Sequence, residues 1–131
     1  MLKQSLLLLF ALGLSLTVTA QISLPLDFEQ PAANYTFEGF EGADSAIEAN
    51  PDQTGENTSA TVMRSTKTVD AQFFAGTTIT LDTPVDFSTN QGISIKTWSP
   101  KVNIPIRIRL ENADNSVGME IDLRTKTASA W

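Results

Sequence analysis

Two stretches of the sequence decide the fold, IPIRIRLE at residues 104–111 and VGMEIDLRT at residues 117–125. In both, apolar and charged residues alternate with a period of two, which is typical of a β-strand with one buried face. The segment between them, Asn112-Ala113-Asp114-Asn115, has the composition of a turn. The pattern therefore predicts an antiparallel hairpin.

The alternation also predicts the register of this hairpin. When the apolar residues of the two strands face each other, Arg107 lies opposite Asp122 and Arg109 lies opposite Glu120. A shift by one residue would bury these charges, which is strongly unfavourable. The charged face has two interpretations: a solvated outer surface whose charges neutralise one another, or the lining of a concave ligand cleft.

The rest of the chain has the same β character. Alternating or β-branched segments occur at residues 23–29, 35–40, 61–66, 73–81 and 93–98, and turn-forming clusters separate them. Seven or eight short strands predict an all-β, antiparallel β-sandwich of two packed sheets. The residues expected inside it are Leu24, Leu26, Phe28, Ile93, Ile95, Ile106, Ile108, Leu110, Met119, Ile121 and Leu123.

The first twenty residues have the features of a secretory signal peptide. Lys3 precedes an apolar run over residues 6–16, and Val18-Thr19-Ala20 offers the small residues of a cleavage site. The run is about half the ~20 residues that a membrane-spanning helix needs. We therefore expect a signal peptide over residues 1–20, a domain over residues 21–131, and a secreted or cell-surface protein.

The composition excludes several kinds of chemistry. The chain has neither cysteine nor histidine, so thiolate nucleophiles, disulfides and the commonest transition-metal ligands are absent from it. Its 15 acidic and 9 basic residues give a net charge of −6. An acidic protein is a poor partner for nucleic acid or an anionic membrane surface. The composition favours a non-catalytic protein.

Trp98 is the strongest single indication of a ligand site. In the predicted strand 93–98, Trp98 lies with Lys96 on the polar face, where an indole ring can stack on the C–H face of a sugar. Alternatively, the turn at Ser99-Pro100 directs the ring into the core. The candidate ligand-binding residues are Trp98, Lys96, Arg107, Arg109, Glu111, Glu120 and Asp122.

Acidic residues cluster early in the predicted domain. Asp27 and Glu29 are two residues apart on a predicted strand, so their carboxylates would point to the same side. Oxygen ligands at a strand end suit Ca²⁺, although the chain has no Asp-x-Asp-x-Asp-Gly loop. A solvated acidic edge is the alternative explanation.

Several short motifs together resemble a known family. They are residues 26–29, Phe37-Glu38-Gly39-Phe40-Glu41-Gly42, residues 50–62, Phe74-Ala75-Gly76, Pro84-Val85-Asp86-Phe87, Trp98-Ser99-Pro100 and residues 106–112. This set resembles the jelly-roll, galactose-binding-like carbohydrate-binding modules of secreted bacterial proteins. The resemblance implies a jelly-roll sandwich, with a structural Ca²⁺ at Glu29 and Asp27. Such modules continue past a tryptophan like Trp131 with a further strand, so we expect this chain to lack its last strand.

The sequence thus predicts non-catalytic binding of a polysaccharide or oligosaccharide by a secreted module. The resemblance implies attachment to a polysaccharide-degrading catalytic domain. Two alternatives stay open. One is a structural or adhesive β-sandwich of a cell-surface protein. The other is the N-terminal part of a glycoside hydrolase or polysaccharide lyase whose catalytic residues lie beyond residue 131.

Overall fold

The structure, a computed structural model, describes residues 22–131, and the predicted signal peptide lies outside them. The strands in chain order are β1 (Phe37–Phe40), β2 (Ala43–Ala49), β3 (Thr61–Lys67), β4 (Gly76–Ile79), β5 (Pro105–Glu111) and β6 (Gly118–Arg124). A single 3₁₀ turn, Ala32–Asn34, is the one helical element between residues 22 and 131. The predicted all-β class is confirmed. None of the described residues forms a helix long and apolar enough to cross a membrane.

The strands form three antiparallel pairs, β1 with β4, β2 with β3, and β5 with β6. The first two pairs contact each other, mainly through β2 against β1 and β4. A hydrogen bond of 2.7 Å between the hydroxyls of Ser45 and Thr77 joins them. These four strands therefore form one packed unit, and β5–β6 forms a second element.

The chain turns from β1 into β2 at Glu41 and Gly42, which both have positive φ angles, 52° and 92°. The Gly42 carbonyl accepts hydrogen bonds of 2.9 Å from the backbone N–H and the hydroxyl of Thr68. A Cβ atom at Gly42 would lie 2.8 Å from the Cα of Ala71. Both the backbone conformation and the close approach therefore require glycine here.

The predicted register of the β5–β6 hairpin is confirmed. Arg107 lies opposite Asp122, and Arg109 lies opposite Glu120. The open end of the hairpin is closed by Thr125, a buried residue. Its hydroxyl accepts from the N–H of Ile104 and donates to the carbonyl of Lys101, both at 2.9 Å.

The predicted core is wrong for the hairpin. Met119, Ile121 and Leu123 on β6 are 47%, 42% and 44% exposed, and the apolar residues of β5 are only half-buried. The reason is that β1, β2, β3 and β4 do not pack extensively against either strand of the hairpin. Elsewhere, Leu24, Ile93 and Ile95 are exposed, and Leu26 and Phe28 are half-buried.

Two predicted strands do not form. Residues 23–29 lack strand structure because Pro25 has no N–H to donate and Phe28 has a φ of 60°. Residues 93–98 pair with no described strand, so their alternation has no ladder to stabilise it. Conversely, β2 was not expected, because its alanine-rich sequence has low β propensity; pairing with β3 along its whole length overrides that preference.

Replacing Gly42 with alanine should destabilise the fold more than the same change at Gly55. Gly55 also has a positive φ, 71°, but an added Cβ would meet nothing within 4 Å. Gly55→Ala should cost only the conformational penalty of about 1–2 kcal/mol. Gly42→Ala should add about 1–3 kcal/mol, because Ala71 must move. Urea unfolding measures both, and equal losses would contradict the close packing at Gly42.

Candidate functional site

Arg107 and Asp122 form the best-defined ion pair on the outer face of the hairpin. The guanidinium Nε and Nη2 donate to the two carboxylate oxygens at 2.7 and 2.8 Å, and Nη1 lies 3.1 Å from Glu120. These hydrogen bonds lower the pKa of Asp122 and raise the pKa of Arg107. The two-point geometry holds both side chains in place, although both are exposed.

Arg109 extends this pair into a network. Its Nε lies 2.6 Å from Glu111 and its Nη1 lies 3.7 Å from Glu120. The structure thus brings together five of the predicted ligand-binding residues: Arg107, Arg109, Glu111, Glu120 and Asp122. Their charges are directed mainly at one another on an open surface. The role of these residues in binding stays a prediction.

Lys96 and Trp98 have different surroundings. The Lys96 ammonium donates to the backbone carbonyl of Glu56. Trp98 is partly buried, between an exposed platform and a core residue, and its role in binding stays a prediction. Its Nε1 is buried and has no hydrogen-bond partner among the residues that the structure describes. The alternation within 93–98 does not determine which way this ring points, because the segment is not a paired strand.

Lys96 lines a cleft of about 330 Å³ between the 95–97 segment and the residues after β6. The lining combines an indole, an aliphatic side chain, three threonines, two lysines and one carboxylate. The residues are Trp131, Ile95, Thr97, Thr125, Thr127, Lys96, Lys126 and Glu56. This mixture of an apolar surface and hydrogen-bonding groups is typical of small-molecule sites.

Asn50 holds Trp131 at the cleft. The Trp131 Nε1 donates to the Asn50 Oδ1 at 3.2 Å and to the Asp52 carbonyl at 2.7 Å. The Asn50 amide group itself donates to the carbonyls of Asn57 and Ser59, at 3.2 and 2.8 Å. These two hydrogen bonds hold the N–H edge of the indole. The orientation of the ring is therefore set before any ligand arrives.

The turn at Asp52 supports the same region. The Asp52 carboxylate accepts from the backbone N–H of Thr54 at 3.0 Å and from its hydroxyl at 2.6 Å. These hydrogen bonds lower the pKa of Asp52. The carboxylate therefore stays ionised and orders the loop after Asn50.

The two predicted metal ligands do not share one side of a strand, because residues 23–29 form no strand. Asp27 accepts from the backbone N–H of Glu29 at 3.0 Å, and Glu29 accepts from the N–H of Thr61 at 3.0 Å. Asp27 also lines a depression of about 180 Å³ with Gln30, Asn34 and other residues. Within 22–131 no three acidic side chains come close enough to hold a metal ion. Calcium binding stays a prediction.

Asn50 and Trp131 are site residues that the sequence pattern does not predict. The available signal was a turn sequence, Asn50-Pro51-Asp52, followed at a distance by an isolated tryptophan. Neither feature indicates that the two residues meet. No family model, curated protein or solved structure matches this chain.

The Arg107–Asp122 pair should make the stability of the protein fall at acid pH. The ionised form of Asp122 is favoured in the folded state, so its pKa lies below the ordinary value of 3.8. This contribution is present above that value and is lost as the pH falls through the lower folded-state pKa. Melting temperatures from about pH 5 to about pH 3 should drop less for Asp122→Asn than for the wild type.

Arg107→Gln is the matched control, because it removes the cause of the shift and leaves the carboxyl group. It should flatten the acid dependence as Asp122→Asn does, and the double variant should add little. If Asp122→Asn keeps the acid dependence of the wild type, the pair does not stabilise the folded state.

Proposed function

We propose that residues 21–131 form a secreted, non-catalytic carbohydrate-binding module of jelly-roll architecture, ancillary to a polysaccharide-degrading enzyme. The observation that carries this proposal is the cleft beside Trp131, with Lys96 and the threonines around it. Its volume of about 330 Å³ lies at the lower end of the range of about 300–1,000 Å³ found for ligand pockets. A space of this size suits one or two sugar rings.

The chemistry of the lining supports a saccharide. A pyranose ring has apolar C–H faces and polar hydroxyl edges, so it needs a flat apolar surface beside hydrogen-bonding groups. Trp131 and Ile95 offer the apolar surface, and Thr97 and Thr127 offer hydroxyls that both donate and accept. A preorganised indole reduces the entropy lost on binding.

The carboxyl groups whose pKa values are shifted support a binding function over a catalytic one. A glycosidase needs a carboxylic acid whose pKa is raised, so that it can donate a proton. Between residues 22 and 131, four carboxyl groups have clearly shifted pKa values, Asp52, Asp86, Asp114 and Asp122, and all four values are lowered. Their hydrogen-bond donors stabilise the ionised form, which suits structural turns and ion pairs.

A structural Ca²⁺ ion is part of the proposal. Asp27, Gln30 and Asn34, whose side chains carry a carboxylate and two amide oxygens, line the same depression. Ca²⁺ prefers such a mixture of carboxylate and carbonyl oxygens, with water completing its shell. Glu29 would act by fixing the neighbouring loop through its hydrogen bond to Thr61.

A second candidate function is adhesion to another protein. The observation that favours it is the apolar face of β6, where Met119, Ile121 and Leu123 are between two-fifths and half exposed. Contiguous exposed apolar surface often marks an interaction site. This face and the cleft are different surfaces, so binding assays on variants can separate the two functions.

The cleft should account for glycan binding. In affinity gels that contain plant or algal polysaccharides, the wild-type chain should be retarded by at least one glycan. Trp131→Ala should abolish that retardation, because it removes the apolar platform. Lys101→Ala, which alters an exposed lysine outside the cleft lining, is the control; compared with a gel without glycan, it should be retarded as much as the wild type is.

Arg107→Gln and Trp98→Ala test two of the predicted site residues that lie outside the cleft lining. Binding that survives both changes places the site in the cleft, whereas loss with Arg107→Gln in a folded protein moves it to the hairpin face. Thr127→Ala serves as a second cleft variant if Trp131→Ala unfolds. Absence of retardation by every glycan, with a folded wild type, would contradict the proposed function.

Calcium should raise the melting temperature of the wild-type chain. The stabilisation follows RT ln(1 + [Ca²⁺]/Kd), so it should grow with concentration once the Kd is passed. Asp27→Asn should abolish the shift while keeping the side-chain oxygen that accepts from Glu29. Asp86→Asn, in another aspartate-centred turn, is the control. A wild type that millimolar Ca²⁺ leaves unchanged has no such site.

A further inference from the structure

We infer that the cleft beside Trp131 selects acidic saccharides, with a carboxylate or sulfate group of the sugar held by Lys96 and Lys126. This inference rests on the proposed function and specifies its substrate class. Both lysines line the cleft. Their placement matters because the chain as a whole is acidic, with a net charge of −6.

The ion pairs of the protein leave these two lysines free. Every salt bridge among the described residues uses an arginine: Arg64, Arg107 or Arg109. Within that part of the chain, no carboxylate lies within 4.0 Å of either cleft lysine. Four carboxylates, those of Glu48, Glu111, Glu120 and Asp122, pair with arginines, and none pairs with Lys96 or Lys126, so the two ammonium groups are available to a ligand.

The contact that Lys96 does make orients it without neutralising it. Its ammonium donates to the backbone carbonyl of Glu56, which carries no net charge. An ammonium has three N–H donors, so two remain for a ligand. Lys126 directly follows Thr125, whose buried hydroxyl bonds the backbone at the base of the hairpin. The backbone that carries Lys126 is therefore fixed.

The negative charge of Glu56, a residue of the cleft lining, limits the kind of anion that can bind. Glu56 lines the same cleft as the two lysines, and a carboxylate repels a neighbouring negative charge. A sugar with one acidic group can place it at the lysines and turn its hydroxyls toward Glu56. A densely charged polymer would bring a second anion close to Glu56. The lining therefore favours isolated acidic groups, such as a uronate, over highly sulfated chains.

The charge itself can be tested with a matched pair of ligands. Calorimetry should compare an oligosaccharide that carries a single glucuronate on otherwise neutral rings with its methyl ester, which keeps the rings and loses the charge. The acid form should bind the wild-type chain about tenfold more tightly, a difference of about 1.4 kcal/mol, because two exposed ion pairs of modest strength are gained. Added NaCl should weaken binding of the acid form and leave binding of the ester unchanged. A galactan with several sulfates on each disaccharide forms the third arm and should bind more weakly than the uronate.

Variants then assign the effect to the lysines. Lys96→Gln and Lys126→Gln should each lower the affinity for the acid form toward that of the ester and leave the ester unaffected. Lys101→Gln is the control outside the cleft lining. Lys126→Gln removes no hydrogen bond within the described part of the chain, so it keeps the test valid if Lys96→Gln unfolds.

The failures of the two proposals are distinguishable. Equal affinity for the acid and the ester would overturn the inference about charge and leave carbohydrate binding standing. Tighter binding of the sulfated galactan than of the uronate would overturn the preference assigned to Glu56. Absence of binding to any of the three ligands and to every glycan of the panel would overturn both proposals.

Discussion

The side-chain amide of Asn50 is the interaction on which the cleft depends. Asn50 is 7% exposed, and its amide hydrogens and oxygen are all used. It donates to the carbonyls of Asn57 and Ser59 and accepts from the Asp52 N–H and the Trp131 Nε1. A buried polar group left without partners costs about 1–3 kcal/mol. The amide therefore requires the end of β2, the loop after it and Trp131 to come together.

The hairpin shows how far alternation can predict structure. The register of β5 on β6 follows from sequence because a one-residue shift exchanges the charged and apolar faces, a penalty intrinsic to the two strands. The burial of the apolar side chains does not follow from the sequence of the two strands in the same way. Whether Ile121 is covered depends on which other element packs against it, and no local pattern carries that information. The failed strand at residues 93–98 has the same cause, since its alternation is real but no described strand pairs with it.

The same distinction separates the site residues that the sequence predicts from those that it does not. The charged hairpin residues were grouped correctly because they are neighbours across one ladder. The cleft was missed because its residues come from three separate parts of the chain. Trp131 and Asn50 are 81 residues apart, and neither belongs to a periodic segment. Lys96 was identified as a candidate, but from its position on a presumed strand face; its actual contact is a loop carbonyl at Glu56.

The long separation between Asn50 and Trp131 also bears on how the protein acquires its structure. The β5–β6 hairpin closes across a short turn and carries its own ion pairs, so it can form locally and early. The Trp131 contact must close a loop of 81 residues, and the entropy of closure rises with loop length. We therefore expect this contact to form after the local hairpin has closed. The ligand cleft would then assemble after the hairpin, and an occupant would stabilise it.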